Sequence, residues 1–156
     1  KNVTITLEEN VAKWAKVWAA KHDSSLSRML GNELKTKMKL DLDYDRAKES
    51  FLSKKPQVQV HPEINILRVN LFMTENTFVD TNIFVYFRDS ANERKQLIAS
   101  ECLSKLWENK TGYISTQVLN EYFVTVTKKI RMPLSTSDAW SDIEELEKWN
   151  PVNMNF

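Results

Sequence analysis

The chain has 156 residues, of which 42% are hydrophobic and 28% charged, and its formal net charge is +1 at pH 7. This composition is typical of one ordinary globular domain or two small ones, and no apolar run is long enough for a membrane span or a signal peptide. A single cysteine excludes an internal disulfide, so a reducing cytoplasm is the expected location.

The first forty residues predict a strand followed by two helices. Residues 2–7 alternate polar and apolar side chains, which is the period of a strand with one buried face. Helical periodicity follows at residues 8–22 and 25–40, and Asp23-Ser24-Ser25 supplies the break between them. Because so short a segment buries little surface and a lone strand needs a mate, we expect an intertwined homodimer or higher oligomer.

This order of elements resembles the ribbon-helix-helix DNA-binding domain of VapB-type and CopG-like antitoxins. The resemblance implies a two-stranded ribbon that enters the major groove of operator DNA, with the start of the second helix held against a phosphate. Strand alternation is weakly specific, so a purely structural dimerisation module is the alternative. The DNA-binding residues that the resemblance assigns are Asn2, Thr4, Thr6, Ser24, Ser25, Ser27 and Arg28.

Residues 41–72 predict a tail and linker. Residues 41–52 have the apolar anchors of a short amphipathic helix, which Lys54-Lys55-Pro56 ends, and residues 57–60 alternate like an extended segment. In VapB-type antitoxins, as the resemblance implies, such a tail wraps the toxin and blocks its acidic crevice. Lys54 or Lys55 is a candidate for pairing with carboxylates there. The simpler alternative is that both are solvated linker lysines.

The stretch from Thr77 to Tyr86 places a carboxylate where a short strand must end and an apolar helix begin. In open α/β sheets, ligands collect at the carboxyl ends of strands, so Asp80 is a candidate metal ligand. Its structural alternative is a simple helix N-cap.

The pattern of strands and helices continues to the end of the chain. Helices are predicted at residues 92–108, 116–130 and 135–149, a short strand at 111–115, and a further strand opening at Pro151. Glu121 lies at the border of the apolar face of helix 116–130. A carboxylate at such a border should be paired, metal-bound or exposed, because burying it unpaired is costly.

Two motifs here resemble PIN-domain ribonucleases of the VapC toxin type. FVDTNIFVY is similar to the opening strand of that family, and ISTQVLNEYF is similar to its strand, serine cap and helix with a second acidic residue. The resemblance covers residues 73 to about 150, and it implies that Asp80 and Glu121 are catalytic residues that bind Mg²⁺ or Mn²⁺ and act on RNA. The neighbouring residues expected to support them are Thr81, Asn82, Ser115 and Asn120.

The same resemblance indicates an incomplete site. PIN relatives draw three or four acidic residues from both halves of the fold, whereas this chain offers two, so any metal ion should be held weakly. The charge is also unevenly distributed along the chain. Residues 1–60 contain 12 basic and 8 acidic side chains, whereas residues 61–156 contain 10 basic and 13 acidic side chains. This difference favours a basic part with an anionic partner beside an acidic part that holds metal.

The sequence therefore predicts an α/β protein in three parts. Residues 1–40 form a β-α-α ribbon-helix-helix domain, 41–72 an antitoxin-like tail and linker, and 73–156 a truncated PIN-like α/β fold with a short parallel sheet. The predicted function combines operator DNA binding and toxin neutralisation with a weak or inactive endoribonuclease half. The alternatives are a catalytically dead DNA-binding and interaction protein, or a half-toxin that needs a missing C-terminal fragment. A cognate toxin and a C-terminal PIN fragment are the further partners expected. A natural fusion, a frameshift and an engineered fusion all fit this pattern.

Overall fold

The structure is a computed structural model that describes residues 3–54 and 76–152. The chain divides into two units, Lys1–Asp43 and Tyr44–Phe156. The elements are α1 (Glu9–Lys21), α2 (Leu26–Ser53), β1 (Thr77–Phe78), α3 (Thr81–Arg88), α4 (Glu93–Asn109), β2 (Gly112–Tyr113), α5 (Thr116–Lys128), α6 (Thr136–Leu146) and a 3₁₀ turn at Glu147–Trp149.

The predicted α/β fold class is wrong, because the described residues are mainly helical and their only sheet has two strands. In particular, residues 3–7 form no strand, so the β-α-α start of a ribbon-helix-helix domain is absent. A strand is stabilised by hydrogen bonds to a neighbour and by burial of one face. Here no described segment pairs with residues 3–7, and Val3 and Ile5 are 79% and 54% exposed.

The first unit consists of α1 and the part of α2 before Tyr44. Helix α2 begins as a capped helix, because the Ser25 hydroxyl accepts a hydrogen bond from the Arg28 amide at 3.2 Å. Among the described residues of this unit, the buried hydrophobic side chains are only those of Ala15 and Ala19. The two helices therefore form with almost no core of their own.

The second unit contains the sheet. Strands β1 and β2 are parallel, with Thr77 opposite Gly112 and Phe78 opposite Tyr113. Directly after β2, Val152 donates to the Ile114 carbonyl at 2.9 Å and forms a parallel bridge with Ser115. Because β1 and β2 are parallel and paired in register, they deliver the starts of α3 and α5 to the same edge of the sheet.

The last turns of α2 are part of the core of this unit. Phe51 is fully buried and stacks on Phe87, with ring centroids 5.1 Å apart. At the other end of this stretch, the Tyr44 hydroxyl donates to the Trp107 carbonyl at 3.0 Å. The predicted amphipathic helix at residues 41–52 is thus the continuation of α2, and it supplies core side chains. Residues 55–75, including the predicted extended segment 57–60, lie outside the described residues.

An ionic cluster around the buried Asp142 joins α3 and α6 to Lys54, the residue that follows α2. Asp142 is fully buried, and its carboxylate lies 3.0 Å from Arg88 Nε and 3.1 Å from Lys54 Nζ. Lys54 also pairs with Glu145 at 2.7 Å, and the Tyr122 hydroxyl donates to Asp142. Lys54 therefore does pair with carboxylates, but these are Asp142 and Glu145 rather than the predicted metal ligands.

Candidate functional site

Asp80 follows β1 directly and caps α3. Its Oδ1 atom accepts a hydrogen bond from the Asn82 amide at 2.8 Å, which satisfies one of the amides left free at a helix start. The side chain is exposed, and a carboxylate has a second oxygen that this cap does not use. Asp80 is therefore the N-cap of α3, and its second carboxylate oxygen remains available to bind a ligand.

Glu121 is held next to this position by two hydrogen bonds. The hydroxyl of Thr81, which is buried, donates to Glu121 Oε2 at 3.0 Å. One turn earlier on α5, the Gln117 amide donates to Oε1 at 2.8 Å. Because Thr81 is the residue after Asp80, its hydroxyl fixes the Glu121 carboxylate beside the end of β1.

A pocket of about 490 Å³ opens at this point between α3 and α5. Its wall combines a carboxylate, two carboxamides, two hydroxyls and one ammonium group, which are groups suited to a polar or phosphorylated ligand. Asp80 is adjacent in sequence to this wall. We call this cavity the site pocket, and its lining residues are Thr81, Asn82, Asn120, Glu121, Val124, Thr125 and Lys129.

The other residues expected to support the site divide into two groups. Asn82 and Asn120 line the site pocket with Glu121. Ser115 is buried and accepts a hydrogen bond from the Val118 amide at 3.3 Å, so it sets the start of α5 and acts on Glu121 only through the helix. This division follows from their positions, because Ser115 precedes α5 whereas Asn120 lies on its exposed face.

The donor set around Asp80 and Glu121 is small. Within residues 3–54 and 76–152, no group of three or more His, Cys, Asp or Glu side chains is arranged to hold a metal ion. Mg²⁺ is commonly bound by one or two carboxylates while water and substrate phosphates complete its coordination. The two carboxylates therefore fit an ion shared with a phosphate ligand, and they do not form a closed protein cage.

The residues assigned to DNA lie in the first unit. Thr4 and Thr6 are exposed on a segment without strand structure, and Asn2 lies outside the described residues. Ser25 caps α2 through the Arg28 amide. The ribbon that was expected to carry the base contacts is absent, so operator DNA binding stays a prediction. The other residues of this assignment are Ser24 and Ser27, which flank the cap.

Two features of the structure were missed at the level of sequence. The pocket wall includes Thr125 and Lys129, which follow Glu121 at four-residue intervals, the spacing that places side chains on one helix face. The ionic cluster was also missed, because no sequence pattern indicates that Asp142 is buried against Lys54 and Arg88. Burial and the adjacent Asp142 carboxylate raise the pKa of Tyr122, so its hydroxyl stays protonated and acts as a donor to Asp142.

No protein-family model matches the chain, and neither a curated protein nor a solved structure matches it. Among the helices that the structure describes, none combines the length and the apolar character needed to span a membrane. The function is therefore inferred from the two sequence motifs together with the geometry of the site.

Proposed function

We propose that Asp80 and Glu121 form part of a metal-dependent endoribonuclease site of the PIN type, with weak or no activity from these two carboxylates alone. The observation that carries this proposal is the 3.0 Å hydrogen bond from Thr81 to Glu121. It ties the second acidic residue to the end of the strand that presents the first. Two acidic residues that are 41 positions apart by number thus reach the same edge of the sheet.

Each residue of the site has a definite task in this proposal. A bound Mg²⁺ or Mn²⁺ ion would activate a water and neutralise charge on the phosphate under attack. Thr81 orients the Glu121 carboxylate, and Gln117 restrains its other oxygen. The Asn82 and Asn120 amides can donate to phosphate oxygens, and the Lys129 ammonium group attracts the RNA backbone.

The weakness of the site follows from its charge. Two carboxylates neutralise only part of the charge of one or two divalent ions, so most of the coordination must come from water and RNA phosphates. A complementing chain that supplies further carboxylates would raise the affinity for metal. Such complementation corresponds to the half-toxin alternative, in which the same two carboxylates would bind the metal ion.

The experiment measures Mn²⁺-dependent cleavage of a fluorogenic RNA by the whole chain, together with Mn²⁺ binding. Asp80→Asn and Glu121→Gln should abolish both, and Thr81→Val should lower activity or metal affinity by roughly 10- to 100-fold because it frees the Glu121 carboxylate. Glu144→Gln, which removes an exposed charge on α6, is the matched control and should change neither. Cleavage that survives Asp80→Asn, or Mn²⁺ binding equal in Asp80→Asn and wild type, contradicts the proposal.

A second candidate function concerns the first unit, which we propose associates with a second copy of itself. Ala15 and Ala19 are buried, whereas Trp14, Leu34 and Met38 are 61%, 68% and 59% exposed. Large apolar side chains left exposed on both helices of the unit are typical of an association site. A second copy is the partner in this proposal because a two-fold interface sets the same apolar surface against itself.

Analytical ultracentrifugation of the whole chain tests this association. Wild type should sediment as a dimer, and a Leu34→Glu, Met38→Glu double variant should be monomeric because charges would be buried at the interface. Lys35→Glu is the control, since it adds an acidic residue on the same helix at an exposed polar position. A monomeric wild type, or a double variant with unchanged mass, contradicts self-association.

Operator DNA and a cytoplasmic location complete this proposal. The single cysteine fits a reducing compartment. DNA binding is tested by a salt-dependent gel shift with the operator region, which Thr4→Ala should weaken. A shift that Thr4→Ala leaves unchanged contradicts the assignment of DNA contacts to this segment.

A further inference from the structure

A second cavity lies on the other side of α5 and has an aromatic floor. Its volume is about 350 Å³, and α5 and α6 line it. Phe123 and Trp140 form the floor, with ring centroids 5.1 Å apart and ring planes inclined at 49°. Trp140 is 53% exposed, so the indole has a face available to a ligand. We call this cavity the aromatic groove.

The aromatic groove and the site pocket share part of their walls. Asn120 and Val124 line both cavities, and they occupy successive turns of the exposed face of α5. A ligand that extends across this ridge would contact both cavities at once. The groove is therefore placed to hold a part of the ligand that flanks the group bound at Glu121.

Packing of α6 against the core does not explain the position of Trp140. Its neighbour Ala139 is fully buried and Ile143 is 6% exposed, so α6 is anchored by these side chains. Trp140 instead contacts the Phe123 ring and has about half of its own surface exposed. Aromatic rings in this position are the platforms on which unpaired nucleic-acid bases stack.

We infer that the aromatic groove binds an unpaired base of single-stranded RNA that flanks the phosphate held at the site pocket. This inference rests on the proposed ribonuclease function, since that function supplies RNA as the ligand. Stacking on Trp140 would hold the base, while Thr116 and Asn120 at the groove offer polar groups to its edge.

Charge at the end of α5 favours RNA over an apolar peptide as the occupant. Lys129 lines the site pocket, and Lys128 and Arg131 beside it are exposed. These three cations complement a phosphate backbone. An apolar peptide would fill the groove without using them.

The experiment measures binding of a fluorescently labelled, mixed-sequence single-stranded RNA to the whole chain by anisotropy, in EDTA so that no cleavage occurs. Trp140→Ala should weaken binding by roughly 5- to 150-fold, the effect expected from the loss of one stacked base. Trp140→Tyr should retain most of the affinity because it keeps an aromatic face. Binding of duplex RNA should be the same in all three proteins, since paired bases cannot stack on the indole.

Phe78→Ala is the matched control. Phe78 is 43% exposed and contacts Tyr113 with ring centroids 5.4 Å apart, so it also belongs to a half-exposed aromatic pair on this unit. Its removal should leave RNA affinity unchanged. An equal loss with Phe78→Ala, or equal affinity of wild type and Trp140→Ala, overturns the stacking assignment.

The two proposals fail separately in these assays. One possible result is that Trp140→Ala weakens RNA binding while Asp80→Asn changes neither metal binding nor cleavage. This result supports the aromatic groove and contradicts the nuclease site. If Asp80→Asn abolishes cleavage while Trp140→Ala leaves RNA affinity unchanged, the nuclease site is supported and the aromatic groove is contradicted. A protein whose Trp140→Ala variant loses affinity for an apolar peptide but not for RNA contradicts the inference.

Discussion

The two units of this chain differ in how their helices are stabilised. Among the described residues of the second unit, twenty buried hydrophobic residues form one cluster that includes Phe51, Trp107 and Trp149. In the described part of the first unit, only Ala15 and Ala19 are buried, and several large apolar side chains are exposed. Helical periodicity thus predicts helices equally well in both units, but it does not show whether their apolar faces are covered within the same chain.

The comparison also shows where the second unit begins. Helix α2 runs through the boundary at Tyr44, and its last turn contributes Phe51 to the core. Lys54, the residue after this helix, belongs to the ionic cluster. Both side chains lie in the predicted tail and linker of residues 41–72. We therefore expect substitutions in residues 44–54 to have the energetic effect of core substitutions.

The two units should differ most in the stability that is lost when an apolar side chain is truncated. Phe51→Ala should lower the free energy of unfolding of the second unit by about 3–5 kcal/mol, because it removes a fully buried ring between Phe87 and Trp107. Val3→Ala in the first unit should change stability by less than about 0.5 kcal/mol, since Val3 is 79% exposed. Urea denaturation monitored by tryptophan fluorescence measures both. A Phe51→Ala effect as small as that of Val3→Ala would show that residues 44–54 are not part of this core.

The two glycines of the chain should respond with opposite signs. A Cβ atom on Gly112 would lie 2.5 Å from the Trp149 ring, and that indole is buried, so Gly112→Ala should destabilise the second unit by about 1–3 kcal/mol. Gly31 lies inside α2 with nothing within 4 Å of its Cβ position, so Gly31→Ala should stabilise the helix by about 0.5–1 kcal/mol. Circular dichroism during thermal unfolding measures both changes. Equal effects of the two substitutions would contradict the close approach of Trp149.

A smaller difference should appear at alkaline pH, because all four tyrosines of the chain lie in the second unit. Burial, and secondarily the Asp45 carboxylate, raise the pKa of Tyr44 from 10.0 to about 12. Between these values the unfolded chain loses the proton and the folded chain keeps it. The free energy of unfolding should therefore be constant below about pH 10 and fall from there to about pH 12.

Tyr44→Phe tests this contribution. It should reduce the alkaline decline, and at neutral pH it should cost about 0.5–1.5 kcal/mol for the lost hydrogen bond to Trp107. Denaturation at a series of pH values, with tyrosinate absorbance recorded in parallel, measures both effects. An alkaline decline identical in Tyr44→Phe and wild type would contradict the role given to Tyr44.

The elements of the second unit were largely predictable because each carries local signals. Asp80 has the cap chemistry of a residue before a helix, and two further helices are predicted to begin at residues 92 and 135. In the structure Asp80, Asn92 and Ser135 each cap a helix, as does Ser115. The strand predicted at residues 3–7 is wrong because alternating polar and apolar residues indicate only that one face could be buried. Whether a partner strand exists is a tertiary question that this alternation does not answer.

The candidate site was predictable in part for a similar reason. Asp80 and Glu121 could be proposed from motifs, and the pairing of Thr81 with Glu121 follows from parallel strands that end side by side. The pairing of Lys54 with Asp142 was not predictable in this way. These residues are 88 positions apart, and no periodicity links the end of one helix to the buried face of another.

The central claim is that the carboxylates of Asp80 and Glu121 act together on one divalent ion, and paramagnetic NMR tests it most directly. The whole chain is titrated with Mn²⁺ while backbone amide signals are followed. The account predicts that the amides of Thr81, Asn82, Asn120 and Glu121 broaden first, and that Asp80→Asn removes this selectivity. Broadening that begins instead at Glu144 and Glu145, the neighbouring acidic pair on α6, or that is uniform over the chain, would contradict it.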